Sequence, residues 1–348
     1  MKKVLGTIAL VVIVVALGIA WKIYQLVKGP ATAFTGKDRI VMLAEVNALD
    51  ALADQLLRDS IIVSKEDFLQ VAGLKQITTL SVKPGRYRFK KGASLNRILN
   101  KLRAGNQEPV QLTFTGYRTA AEIAGRVSEQ IAADSLDVLT LMQNDSLAKV
   151  YGFNSETFRT MFIPNTYEVW YTTNANDFIE RMHDEHERFW SEARRAKATQ
   201  LGMTPTEVSI LASIVKAETA KRDEAPKVAG LYLNRLEIGM ALQADPTLIY
   251  ALGDFSIKRV LDVHKEVDSP YNTYRNAGLP PGPINFPEPH YIDAVLNAND
   301  HEYLYMCAKP DFSGYHNFSR TLSQHNVYAN QYRRALTREM REARRREN

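Results

Sequence analysis

The sequence predicts an α+β protein with an N-terminal transmembrane helix, a small α+β subdomain and a larger, mainly helical domain. Three observations predict it: an uncharged run from Val4 to Trp21, short strand and helix patterns alternating from Val41 to Ala104, and helical patterning that dominates from Thr204 to Leu252. The 348 residues are 45% hydrophobic and 24% charged, a globular balance that can bury at least one sizeable core.

The first element is the clearest. Lys2 and Lys3 precede the eighteen uncharged residues Val4 to Trp21, and Trp21, Lys22 and Tyr24 stand where interfacial side chains belong. Such a run can span a bilayer. A cleaved signal peptide is the rival reading, because Ala31-Thr32-Ala33 has the small residues of a cleavage site. The apolar run is long for a signal peptide and that site lies about ten residues beyond it, which favours an uncleaved anchor. No cysteine follows the run, so no lipoprotein anchor can form at this end. Lys22 and Lys28 balance Lys2 and Lys3, and charge alone leaves the orientation open.

Gly29 to Gly36 is small and turn-prone and reads as a linker. A strand is expected from Val41 to Val46, a helix from Leu49 to Arg58, and a second helix from Lys65 to Ala72 begun by Ser64. Gly85-Arg-Tyr-Arg-Phe follows Pro84 as a strand, and Ser94 caps a helix that stops near Gly105. Beyond it come a strand from Val110 to Phe114, an amphipathic helix from Thr119 to Ala132, and an aromatic-rich stretch from Leu136 to Thr173. One long charged helix is predicted from Ala175 to Thr199, and the next, Thr204 to Thr219, starts with Thr204 as cap and Pro205 as first residue. A proline- and glycine-rich stretch, a helix from Pro289 to Asn297, a strand from Tyr303 to Ala308 and a C-terminal helix ending in arginines complete the chain.

Composition excludes several functions. The net charge of +5 comes largely from the two ends, Lys2 and Lys3 and the arginines from Arg333 to Arg346, and no stretch interleaves basic and aromatic residues like a stacking platform for nucleic acid. Cys307 is the only cysteine, so there is neither an internal disulfide nor a cysteine zinc cluster, and it reads as a buried strand residue. His183-Asp-Glu-His186 lacks the spacing of a zinc-binding HExxH helix and falls in a charged, solvated helix, so no metal is expected. Serine-nucleophile, phosphate-loop and dinucleotide motifs are absent.

The helix Ser209-Ile-Leu-Ala-Ser-Ile-Val-Lys-Ala-Glu-Thr holds the most informative residue. Leu211, Ile214, Val215 and Glu218 recur at helical spacing, so a carboxylate shares the apolar face. Two readings stand. Burial can raise the pKa of Glu218 into the range of a general acid, or Lys221 or Arg222 can neutralise it as a structural group. Downstream, Asn234, Arg235, Gln243, Asp245 and Thr247 are the donors and acceptors that a sugar site needs, and Tyr250 offers a ring for stacking. Asp245-Pro246 also suits a helix cap. Gly278-Leu-Pro-Pro-Gly-Pro-Ile, with Pro280 and Pro281, is a stiff loop that fits a cleft wall or a connector.

These segments, in this order and behind an N-terminal anchor, resemble the YceG-like (MltG) family of endolytic murein transglycosylases. The strongest stretches are Ala212-Ser-Ile-Val-Lys-Ala-Glu-Thr, Asn234-Arg-Leu, Leu242-Gln-Ala-Asp-Pro-Thr, Ser269-Pro-Tyr-Asn-Thr-Tyr and the proline loop. Two departures are visible: Lys216 where the family usually has an acid, and Asn285 and Phe286 where small residues are common. The resemblance implies domains at 1–28 (cytoplasmic tip and anchor), 29–37 (linker), 38–108 (a LysM-like, glycan-binding subdomain), 109–200 (connecting region), 201–340 (catalytic domain) and 341–348 (basic tail).

By the same resemblance Glu218 is the catalytic acid and base. Asn234, Arg235, Gln243, Asp245, Thr247, Tyr250, Tyr271, Asn272, Tyr274, Pro280, Pro281 and Tyr167 would line the substrate cleft. No cofactor is implied. The expected partners are peptidoglycan glycan strands, the cytoplasmic membrane through residues 4–21, and peptidoglycan synthases, with the N-terminus inside and the catalytic domain outside. Other readings remain open here: a hydrolase using Glu218 with Asp245, a wall-binding scaffold without catalysis, and a membrane assembly partner docking through the helix from Arg333.

Overall fold

A computed structural model describes residues 2–347, with side chains for all of these except 2, 3, 343, 344 and 347. The predicted basic flank Lys2 and Lys3 and the final Asn348 therefore lie outside the described side chains. Helices and short strand pairs make a mixed α+β architecture.

Helix α1 (Lys2–Lys28) contains the one stretch among the described residues long and apolar enough to cross a membrane, Val4–Lys28, with mean hydropathy 2.7. At 1.5 Å per residue its 25 residues reach about 37 Å, more than a hydrocarbon core of roughly 30 Å. Its side chains from Val4 to Tyr24 are exposed, while Leu26 and Val27 pack on the core that follows.

That core belongs to a unit made of 1–112, 128–133 and 167–174. Strand β1 (Asp38–Leu43) pairs antiparallel with β2 (Gly85–Lys90) after α2 (Leu49–Arg58) and α3 (Lys65–Leu74), and α4 (Leu95–Ala104) closes the unit's core. Local chemistry marks each boundary. The Ser64 hydroxyl accepts from the Asp67 N–H at the start of α3, and Gly105 ends α4 in the left-handed region at φ 68°, where a side chain would be strained. Leu56, Ile61, Phe68, Tyr87, Ile98 and Leu102 fill the centre. The first strand runs from Asp38 to Leu43 and not from Val41 to Val46, because Leu43 closes the register opposite Gly85.

Then come β3 (Val110–Phe114), α5 (Ala120–Ser128), α6 (Ser135–Met142), α7 (Asp145–Val150) and β4 (Asn165–Val169), with β3 paired to β4. The helix predicted to reach Ala132 stops at Ser128, and the Ala132 N–H donates instead to the Tyr171 carbonyl at 2.7 Å.

The second unit comprises 113–127, 134–166 and 175–348. The single long helix expected over 175–199 is two, α8 (Ala175–Phe189) and α9 (Glu192–Gln200). Trp190 turns into the core between them at 1% exposure, and Arg194 and Arg195 donate to the carbonyls of Phe189 and Trp190. His186 is likewise buried, not solvated as the charged sequence suggests. Burial lowers its pKa to about 4, and its ring lies against Phe153 and Trp190.

Helix α10 (Pro205–Glu218) is the axis of this unit, buried continuously from Val208 to Val215. Around it pack α9, α11 (Ala225–Glu237), α12 (Asp245–Leu252) and α13 (Pro289–Leu296). Strands β5 (Tyr305–Ala308) and β6 (His316–Ser319) pair antiparallel, and α14 (Leu322–Glu347) carries the arginine-rich end. Cys307 sits on β5 but is only half-buried, because its strand borders a cavity.

Candidate active site

The start and end of α10 are both set locally. Thr204 and Glu207 form a reciprocal capping box ahead of Pro205, and Thr219 leaves the helix in an extended conformation at φ −142°. Glu218 is thereby the last helical residue, at the negative end of the helix dipole, where an ionised carboxylate is disfavoured. Leu211, Ile214 and Val215 on the same face are fully buried.

Glu218 faces a cavity of about 400 Å³. The opening leaves the residue partly exposed as a whole, yet the carboxyl itself is closely surrounded. Burial raises its pKa to about 7, with the charge of Asp245 adding to the rise, against the Tyr232 hydrogen bond and the charges of His316 and Arg235. No ion pair to Glu218 forms among the described residues. Lys221 lies over the Tyr315 ring instead, and Arg222 is exposed, so neither neutralises the carboxylate. Its direct partner is the buried phenol of Tyr232, which donates to Oε1 at 2.8 Å.

Asp245 enters the cavity from the start of α12. The side chain makes no cap, since the capping position is Ala244; it accepts instead from the Tyr274 hydroxyl at 2.5 Å. Gln243 precedes it in the left-handed region at φ 50°, a conformation costly for a residue with a Cβ, held by its N–H on the Thr273 carbonyl. Arg235 is buried from α11, and it donates to the carbonyls of Leu304 and Leu242 while its guanidinium faces the Tyr305 ring.

The far wall is built by β5 and β6. His316 lines it and is held from behind by Glu224, which is 6% exposed. Glu224 Oε1 accepts the His316 backbone N–H at 2.7 Å, and Oε2 contacts His316 Nδ1 at 2.8 Å and accepts from the Thr219 hydroxyl at 3.1 Å. One buried carboxylate thus ties the wall strand to the residue after Glu218. Among the described residues no three of His, Cys, Asp or Glu are grouped as metal ligands would be.

The arrangement can hold a protonated carboxyl near neutral pH beside a polar, water-accessible cavity. A family model, the YceG-like family, matches residues 41–331. An endolytic murein transglycosylase of Bacillus subtilis is 28% identical over 302 residues, 82% of each chain. One from Streptococcus pneumoniae is 26% identical over 268 residues, 65% of this chain and 46% of its own length. The crystal structure of a yceG-like protein from Listeria monocytogenes superposes with a TM-score of 0.55 at 25% identity, covering 84% of this chain and 99% of that one.

The chain belongs to the YceG-like family.

Within this YceG-like chain, Glu218, Arg235, Gln243, Asp245 and Tyr274 share the cavity. The other residues expected in the cleft are placed elsewhere. Asn234 donates to the carbonyls of His301 and Tyr303, Asn272 to those of Lys265 and Val267, and the Thr247 hydroxyl to that of Ala244. Their side chains hold backbone in place. Tyr250 borders a second cavity and receives a hydrogen bond from Arg159, and Tyr271 donates to Glu156 at 2.6 Å. Pro280 is buried and Pro281 exposed; at Gly282 beside them an added Cβ would lie 2.4 Å from the Glu156 carbonyl oxygen. Tyr167 is buried on β4 in the first unit.

Sequence reasoning missed Tyr232, Glu224 and His316. Tyr232 lies fourteen residues after Glu218, within a helix whose periodicity reads simply as core. Glu224 and His316 are 92 residues apart, and no local pattern joins them.

Proposed function

We propose that the chain is a membrane-anchored endolytic lytic transglycosylase that cleaves the β-1,4 bond between N-acetylmuramic acid and N-acetylglucosamine in nascent peptidoglycan. The observation that carries this reading is the Glu218 carboxyl, its pKa raised by burial to about 7, on the wall of a polar cavity. The murein transglycosylase relatives supply the reaction class.

Glu218 gives its proton to the glycosidic oxygen as the C1–O bond breaks. The muramoyl C6 hydroxyl then attacks C1, and the Glu218 carboxylate takes the hydroxyl proton. The product is a 1,6-anhydro ring, the enzyme regains its proton, and no water is consumed. A nucleophile within the substrate removes the need for a second carboxylate and gains from proximity. Tyr232 fixes the orientation of Glu218. Gln243, Asp245, Tyr274 and Arg235 supply the polar groups of the cleft.

A hydrolytic reading has one observation of its own, since Asp245 shares the cavity and could activate water. Mass spectrometry of fragments released from polymeric peptidoglycan by the full-length chain separates the two. Anhydromuramic ends that vanish in Glu218→Gln are expected; reducing-end muramic acid would establish the hydrolase, and binding without cleavage a scaffold.

In this reading α1 keeps the enzyme at the cytoplasmic membrane, N-terminus inside, where new strands emerge and their cleavage ends elongation. Tethering raises the local concentration of cleft and strand, and peptidoglycan synthases acting there are the partners it would meet. The strand, helix, helix, strand order of β1, α2, α3 and β2, with the strands antiparallel, supports a LysM-like, glycan-binding role for 38–108.

A further inference from the structure

A second cavity, of about 280 Å³, opens in the same unit beside the first: Ala217 and Pro246 in its wall are the chain neighbours of Glu218 and Asp245. Its lining is basic, with Arg118 and Lys216 and no carboxylate among the described residues. Arg118 is exposed, its guanidinium 4.5 Å from the centre of the Phe255 ring. Lys216 uses two of its three donors on the Phe286 carbonyl and Glu288 Oε1, each at 2.8 Å, and keeps one.

Asn285 supplies the opposite polarity. It is 6% exposed, and its Nδ2 donates to the Ser213 carbonyl at 2.7 Å. Only the amide nitrogen can face a carbonyl, so the atom left over is Oδ1, a buried acceptor with no hydrogen-bond partner. Such an atom is costly unless a ligand N–H or O–H reaches it. Ile249, Ile284 and Phe255 add apolar surface.

We propose that this cavity takes the peptide stem carried by the sugar next to the cleaved bond. The Asn285 acceptor meets a stem amide N–H, Arg118 and the remaining Lys216 donor meet stem carboxylates, and the apolar side chains meet its methyl groups. A bare sugar would satisfy Asn285 but would offer no carboxylate to Arg118 or to the remaining donor of Lys216, whose charge is already paired with Glu288. The inference rests on the function proposed above, because only substrate bound at Glu218 would present its stem here.

The test compares kcat/KM of the full-length chain in detergent on glycan strands with stems intact and on strands stripped of them. The wild type is expected to favour stem-bearing strands by about tenfold, the size of one charge-assisted hydrogen bond. Arg118→Gln, at an exposed position that folding tolerates, should erase that preference through KM, and Asn285→Ala should do the same. Equal rates for the wild type on both substrates, or a preference that survives Arg118→Gln, would overturn the proposal. Should the wild type cleave neither substrate, the functional reading fails by itself and calorimetry with a soluble N-acetylmuramyl tripeptide decides the site. Binding weakened about tenfold by Arg118→Gln supports it, and absent or equal binding refutes it.

Discussion

The phenol of Tyr232, buried on α11, donates a 2.8 Å hydrogen bond to Oε1 of Glu218, the last residue of α10. A donor on the carboxylate favours its ionised form, so this bond opposes the larger effect of burial and keeps the pKa of Glu218 near 7 instead of higher. Tyr232→Phe should therefore raise that pKa. A general acid works while protonated, so activity falls as pH rises through its pKa. The alkaline limb of the pH–rate profile should move up by about one unit, the size of one hydrogen bond to a charged group. A pH series of strand cleavage checks the direction.

Asp245→Asn should move the same limb the other way. The Asp245 charge raises the Glu218 pKa, and the amide removes it. A transglycosylase should keep measurable activity with its alkaline limb at lower pH, whereas total loss at every pH would mark Asp245 as an essential base.

Glu218→Gln should abolish cleavage and stabilise the fold at alkaline pH. The folded pKa of about 7 lies above the ordinary 4.5, so stability is complete below 4.5 and declines as pH rises through 7. At about 1.4 kcal/mol per pKa unit the gain of the amide at pH 8 is at most roughly 3 kcal/mol, reduced by solvent reaching the open cavity. Urea titrations at pH 5 and pH 8 measure the difference, which should be below about 1 kcal/mol at pH 5.

His186 carries the opposite dependence. Its folded pKa of about 4 is below the ordinary 6.5, so its contribution is complete above 6.5 and is lost as pH falls toward 4. His186→Phe should make the fold less sensitive to acid by roughly 2 to 3 kcal/mol between pH 7 and pH 4, read from urea midpoints.

Glu224→Ala should cost roughly 2 to 4 kcal/mol, because it leaves the His316 N–H groups and the Thr219 hydroxyl without their buried acceptor. Cleavage should fall with it, since Thr219 follows Glu218 directly. Glu224→Gln keeps one acceptor oxygen and should recover part of both losses, in thermal melts and in the cleavage assay alike.

Much of the local structure was legible before the fold. Ser64, Ser94, Thr204 and Pro205 begin helices and Gly105 ends one, because caps depend on neighbouring backbone groups alone. Elements failed where a distant group decided. The 175–199 helix breaks because Trp190 belongs in the core, and β6 was unseen because only its pairing with β5 makes four residues a strand. Polar residues grouped by sequence also separate in space: Gln243 and Asp245 face the cavity, while Asn234, Thr247 and Asn272 turn their side chains to carbonyls.

By itself the sequence determined the apolar helix at the N-terminus, the capped helix that ends at Glu218, and the apolar face that this carboxylate shares. These follow from composition, spacing and hydrogen bonds within a few residues. Only the tertiary structure decided what surrounds the carboxylate. Tyr232 on the next helix, Asp245 at the start of another and His316 on a strand 98 residues away in sequence set its charge, because burial and electrostatic interaction depend on distance in space.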